Sequence, residues 1–216
     1  MNRFKEVLKI RVFLLTSLLF IIIGGVVLFT SDKDSIHLAV NDLHSPVFDI
    51  FFTYWTHVGD GIFTALTAIA IALYVFKKYR YSTFALGAIA LLLCGAFSQF
   101  MKRVVFPNAE RPLKYFGENV LYLVPDVDVH LSNSFPSGHT TAAFTFFTFA
   151  SMALFRNNKG MQVLMAVFAA LVGYSRMYLS QHFLEDVVTG AILGIITYLI
   201  AHWIVTCFPF KQNITA

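Results

Sequence analysis

Charge is the scarcest ingredient of this chain. Asp, Glu, Lys and Arg supply 13% of its 216 residues, about half the share that a soluble domain carries. The charges that exist cluster between long apolar runs, and roughly 20 apolar residues suffice to cross a bilayer core. This excludes an ordinary soluble domain and indicates a polytopic helical membrane protein. A transmembrane barrel is excluded as well, because no strands of about ten residues with alternating polarity are present. Cysteine is nearly absent. Cys94 and Cys207 fall within or at the end of apolar runs and are expected as small buried hydrophobes rather than as a disulfide. No Lys/Arg block interleaved with aromatics occurs, so the net charge of +4 is loop bias, and no nucleic-acid partner is expected. Repeats and low-complexity tracts are missing.

What is present is apolar: 57% hydrophobic residues, with a mean hydropathy of +0.69. Six runs stand out, at about Val12–Thr30, Ile62–Phe76, Thr83–Met101, Gly138–Phe155, Met161–Tyr178 and Val187–Cys207. The second is short for a span, so its helix is expected to begin earlier, near Thr56 or Val58. The first has a basic start but is long for a signal peptide and lacks an A-x-A site, which makes it a retained helix. The expected fold is all-α, a six-transmembrane-helix bundle forming a single domain over residues 1–216, with a motif-bearing core at about 83–207. The segment "HSPVFDIFFTYWTHVGDG" in the first outer loop is too interrupted to span and is expected as an interfacial helix.

The basic residues orient the bundle. With both termini in the cytoplasm, the inner side holds Arg3, Lys5, Lys9, Arg11, Lys77, Lys78, Arg80, Arg156, Lys159 and Lys211. The outer side holds Lys33, Lys102, Arg103, Arg111, Lys114 and Arg176. The excess inside fits the positive-inside tendency, yet the outer face keeps more cations than that tendency favours. The outer loops are also the long ones. The inner "KKYRYS" and "RNNKG" are expected as tight turns.

Three stretches on the outer face gather those cations: "KRVVFPNAERP" (102–112), "PSGH" (136–139) and "SRMYLSQHFLED" (175–186). Fixed cations without a balancing carboxylate cluster imply an anionic ligand, and arginine's planar fork suits phosphate oxygens. Ser137, Gly138 and His139 open a helix, where backbone N–H groups and the helix dipole favour an anion. His182 and Asp186 are one helical turn apart. A carboxylate there accepts the Nδ1 proton and leaves Nε2 to attack, the orienting logic of a catalytic triad. His139, from another helix, is the candidate proton donor to the leaving oxygen.

These stretches resemble the three signature motifs of the type 2 phosphatidic acid phosphatase superfamily. "PSGH" matches the second motif in full. The third, S-R-x5-H-x3-D, is matched by Ser175, Arg176, His182 and Asp186. The first, usually K-x6-R-P, departs here: Lys102 to Arg111 leaves eight intervening residues and Arg103 leaves seven. Lys102 is favoured as the ligand, with Arg103 open. The resemblance implies a bacterial integral-membrane phosphatase that needs neither metal nor cofactor and works through a phosphohistidine. It implies His182 as nucleophile, Asp186 as its orienting partner and His139 as general acid. Lys102, Arg111, Ser137, Gly138 and Arg176 are implied to hold the phosphate. The implied partners are the bilayer and a phosphorylated membrane lipid at the outer face of the inner membrane. The candidates are undecaprenyl diphosphate, lipid A phosphate, phosphatidylglycerophosphate and phosphatidic acid.

Other readings compete. Vanadium haloperoxidases share this site, but they are generally soluble and six spans speak against them. A non-catalytic lipid-phosphate binding or transport protein is expected to lose its nucleophile or acid, and both histidines are present. His37, His44 and His57, with Asp42 and Asp60, are expected as loop residues rather than metal ligands. Asp126, Asp128 and His130 are expected as solvated loop groups, His202 as hydrogen-bonded within the bundle, and Gly190–Gly194 ("GAILG") as a helix-packing motif.

Overall fold

The computed structural model describes residues 3–207, with side chains described outside 3–4 and 76–81. Lys211 therefore lies outside the described residues, as do the side chains of Lys77, Lys78 and Arg80. All regular structure among the described residues is helical. Ten α-helices follow one another: α1 Arg3–Val7, α2 Arg11–Thr30, α3 Lys33–Asn41, α4 Pro46–Trp55, α5 Gly61–Tyr74, α6 Phe76–Phe100, α7 Pro112–Phe116, α8 Gly138–Leu154, α9 Lys159–Tyr178 and α10 Leu184–Cys207. Four stretches are long and apolar enough to cross a membrane: Lys5–Thr30, Ser82–Val105, Lys159–Tyr178 and Leu184–Cys207. The pair Pro46–Gly59 and Gly61–Tyr74, bent by 61°, qualifies as a fifth if taken together. Along α2 the side chains of Leu15, Leu19, Ile22, Ile23 and Phe29 are exposed, an apolar surface that only lipid satisfies. The chain is a multi-pass membrane protein.

The axis of the molecule is α8. Every residue from Thr140 to Ala153 is buried, so this helix is wrapped on all sides rather than amphipathic. Its threonines satisfy themselves on the preceding turn, Thr141 to the Ser137 carbonyl and Thr145 to the Thr141 carbonyl, each at 2.8 Å. Thr145 also reaches across to the Gly194 carbonyl and the Thr197 hydroxyl, both at 3.0 Å. The close approach of α10 requires its glycines. A Cβ on Gly190 would lie 2.8 Å from the Ser137 carbonyl oxygen, and one on Gly194 would lie 2.6 Å from that of Thr141. The "GAILG" motif is thus a packing surface against α8.

Several local expectations need correction. The second span does not simply start earlier. A 3₁₀ turn at Thr56–Gly59 follows α4, and the chain bends at Asp60, whose carboxylate caps α5 by accepting from the Ile62 N–H at 2.8 Å. "KKYRYS" is not a turn but lies within α6, which is separated from α5 by the single residue Val75. His37 is no loop residue: it is buried on α3, its Nε2 is 3.3 Å from the Ser180 hydroxyl, and its ring stacks on Phe116. His44 sits between the rings of Tyr122 and Tyr178 and pairs with Asp49 at 2.8 Å. His202 is buried beside the Tyr198 ring, without a side-chain hydrogen bond among the described residues.

Candidate active site

Three interruptions of helix meet at the start of α8. The first follows α6, whose last turn widens into a π turn at Met101–Val105, closed by the Phe106 N–H on the Met101 carbonyl at 2.8 Å. Such turns are rare and recur at functional sites. Lys102 is buried there, and its ammonium donates to the carbonyls of Asn133 at 2.6 Å and Ser134 at 3.4 Å. Arg103, next in sequence, is exposed. The buried first-motif cation is therefore Lys102.

Arg111 ties the second long loop to the third motif. Its Nε donates to the Ser132 carbonyl at 2.8 Å, and its Nη1 donates to the carbonyl and side-chain oxygen of Gln181 at 2.9 and 3.0 Å. Arg176, in the last turn of α9, donates from Nη1 to the Thr56 hydroxyl at 2.7 Å. Its buried Nε has no partner among the described residues. A buried guanidinium N–H left unpaired is costly, which marks a place for a ligand's acceptor.

The turn after α9 presents His182. The N–H groups of Gln181 and His182 both return to the Arg176 carbonyl, at 2.9 and 3.1 Å. Between them and the helix, Ser180 adopts a φ of 50°, a conformation a non-glycine residue holds only under constraint. His37 and Asn41 of α3 clasp its hydroxyl at 3.3 and 3.4 Å. His182 is 1% exposed and its Nδ1 lies 3.2 Å from Asp186 Oδ2. That oxygen also accepts from the Phe183 N–H at 3.0 Å and from the Ser134 hydroxyl at 2.5 Å. Held this way, Nδ1 carries the proton toward Asp186 and Nε2 is the basic nitrogen. Burial, then the charges of Arg111, Arg176 and Lys102, push the His182 imidazolium well below the ordinary histidine range, so the ring is neutral at neutral pH.

Around these groups lies a polar cavity of about 460 Å³. It is lined by Lys102, Arg103, Arg111, Gly138, His139, Arg176 and His182, together with Ser98, Gln99 and the strip from His130 to Asn133. Its described lining has four cations and no carboxylate. Ser137 stands behind the wall: its hydroxyl caps α8 through Thr140, and its N–H donates to the Asp186 carbonyl at 3.0 Å. The first-turn donors left to an anion are the N–H groups of Gly138 and His139. Every other predicted residue except Asp186, which acts from behind His182, reaches the cavity wall.

Two further cavities adjoin it in turn. One of about 220 Å³ shares Ser98, Gln99, Gly138 and His139 with the polar cavity. A third of about 400 Å³, almost wholly apolar, runs between α5 and α6 and shares Gly61 and Leu91 with the second.

Sequence reasoning missed Ser134, Thr56 and Gln181. Ser134 lies two residues before the second motif, and Gln181, directly before His182, occupies an unspecified position of the third. Thr56 carries no signal of its own.

The sequence model of the PAP2 superfamily matches residues 84–209. The chain belongs to the PAP2 superfamily. This PAP2 protein is a metal-independent membrane phosphatase. It is 27% identical over 189 residues to a lipid A 4'-phosphatase of Porphyromonas gingivalis, covering 83% of this chain and 74% of the relative. A lipid A 4'-phosphatase of Bacteroides thetaiotaomicron is 29% identical over 183 residues, or 81% and 79% of the two chains. The crystal structure of Aquifex aeolicus LpxE superposes with a TM-score of 0.62 at 29% identity, covering 78% of this PAP2 chain and 93% of that one.

Proposed function

We propose that this PAP2 protein removes phosphate from a membrane lipid through a phosphohistidine. His182 Nε2 attacks phosphorus, the bond from phosphorus to the leaving oxygen breaks, and His139 gives that oxygen a proton. Water then attacks the phosphohistidine, His139 takes the water's proton, and inorganic phosphate leaves with His182 restored. Asp186 keeps the imidazole in the attacking tautomer. Lys102, Arg111, Arg176 and the first-turn N–H of Gly138 balance the charge on the equatorial oxygens, with Ser137 fixing that turn.

The observation that carries the lipid reading is the adjacency of the three cavities, each sharing lining residues with the next. The cationic chamber adjoins a smaller cavity lined by Gly59, Gly95 and Gly138, which in turn adjoins an apolar groove, an arrangement that fits a phosphorylated headgroup with an attached hydrocarbon chain. The two lipid A 4'-phosphatases aligned over four-fifths of the chain favour a lipid A phosphate among the candidates. The finer topology belongs with this proposal. It counts α8 as a sixth, central span, sets α4 at the interface, places both termini in the cytoplasm and opens the site to the outer face of a bacterial inner membrane. A single domain over residues 1–216 completes it.

Detergent-purified protein in EDTA, assayed for phosphate release from the four candidate lipids, tests this. Release that disappears in His182→Ala, with an acid-labile phosphoryl group trapped on His182, is expected. No release from any lipid by folded protein would point to the binding or transport alternative.

A further inference from the structure

The polar cavity is larger and more cationic than one phosphoryl group requires. Its volume of about 460 Å³ falls in the range of pockets that enclose a drug-sized ligand. Three of its cations are buried and held by protein groups: Lys102 by two loop carbonyls, Arg111 by Ser132 and Gln181, Arg176 by Thr56. The fourth is different. Arg103 is exposed, lines the same cavity, and has no hydrogen bond or ion pair among the described residues. Successive residues of an α-helix point about 100° apart, which normally sends neighbours to different surroundings. The π turn at Met101–Val105 changes that spacing, and both Lys102 and Arg103 reach one chamber. His130, also exposed, reaches the cavity from the second long loop.

We infer that Arg103 and His130 form a second anionic subsite at the rim, which takes a second phosphoryl group of the substrate while the buried cations hold the one that is cleaved. The substrate class is then a lipid with two phosphoryl groups on one headgroup. They are adjacent in a diphosphate and separated on a bisphosphorylated saccharolipid, and the chemistry recognised is the same. Arginine's fork with its unused donors suits such a group, and no carboxylate in the described lining competes for it. The inference rests on the proposed function only for the location of the first phosphoryl group.

The test is calorimetric titration of the full-length, detergent-purified protein with two probes, inorganic phosphate and methylenediphosphonate, so that binding is read without turnover. Wild type is expected to bind methylenediphosphonate more tightly than phosphate. Arg103→Ala is expected to weaken methylenediphosphonate about tenfold, the order of one charged hydrogen bond, and phosphate far less. Arg103→Lys should recover part of the loss, and His130→Ala should show the same selectivity to a smaller degree. Equal losses for both probes, or none, would overturn the subsite while leaving the phosphate site intact. Failure of wild type to bind either probe would overturn both. Turnover of a prenyl diphosphate and of a bisphosphorylated saccharolipid then separates the two sources, since the rise in KM for Arg103→Ala follows the lipid whose second phosphate occupies the rim. A rise that appears only in vesicles containing anionic lipid, with methylenediphosphonate affinity unchanged, makes Arg103 a membrane anchor and overturns the proposal.

Discussion

Ser134 shows how much of this site depends on a residue without a motif. Its hydroxyl and the His182 ring share one oxygen of Asp186, so it fixes the carboxylate that orients the proposed nucleophile. Ser134→Ala removes one buried hydrogen bond to a charged group, worth about 1.5–3 kcal/mol. The expected result is a fall in kcat of about ten- to a hundredfold with little change in KM, because the substrate's phosphate does not touch this hydroxyl. His182→Ala is expected to cost at least about a thousandfold in kcat, read by phosphate release. The pH profile follows from the depressed pKa of His182. Depression favours the neutral ring, which attacks, so protonation removes activity only well below 6.5. The acid limb of kcat/KM should accordingly fall below pH 6.5, and a midpoint at or above that value would contradict the burial and cation argument.

The helices determine whether those residues meet. The active end of α8 is held against α10 by backbone contact at Gly190 and Gly194, so even one methyl group is obstructed. Gly194→Ala places a carbon 2.6 Å from the Thr141 carbonyl oxygen, and overpacking of this kind costs about 1–3 kcal/mol. A lowered thermal midpoint in detergent is the expected outcome. Gly59 serves the same end from the other side, with its Cβ position 2.8 Å from the His139 carbonyl oxygen. The motif residues and the small-residue stripe of α10 were legible in the sequence because phosphate chemistry and close packing each demand particular residue types. Lys102 was favoured over Arg103 on the motif alone, and the physical difference between them, burial of Lys102 against the Asn133 and Ser134 carbonyls, lies in a distant loop that no residue pattern announces. The bend at Asp60 was hidden too: a short apolar run suggested a helix reaching back to Thr56 or Val58, whereas a capping carboxylate starts a new helix at Gly61. Ser134, Thr56 and Gln181 escaped because hydroxyls and amides are common everywhere and acquire meaning only from what they touch.

Across the whole molecule, the proposed lipid reading assigns chain recognition to the groove between α5 and α6, apart from the cationic chamber. Ala65 lines the groove, on α5 and away from the cationic chamber. Ala65→Phe fills part of the groove and is expected to raise KM for a long-chain lipid phosphate about tenfold, since a few methylenes at about 0.8 kcal/mol each lose their place. A water-soluble aryl phosphate, which has no chain, should show a far smaller change. Comparing the two substrates on one variant checks this, and equal effects would mean that the groove does not hold the chain.

The three adjoining cavities also bear on where the products go. On the proposed reading, the groove between α5 and α6 takes substrate from the plane of the membrane, so the relevant concentration is a mole fraction among lipids rather than a molarity. The dephosphorylated lipid returns to that plane, while inorganic phosphate leaves the polar chamber for water. The two products part into different phases, and their chance of meeting again in the site is small. Separation into two phases thereby keeps the two products from returning to the site together.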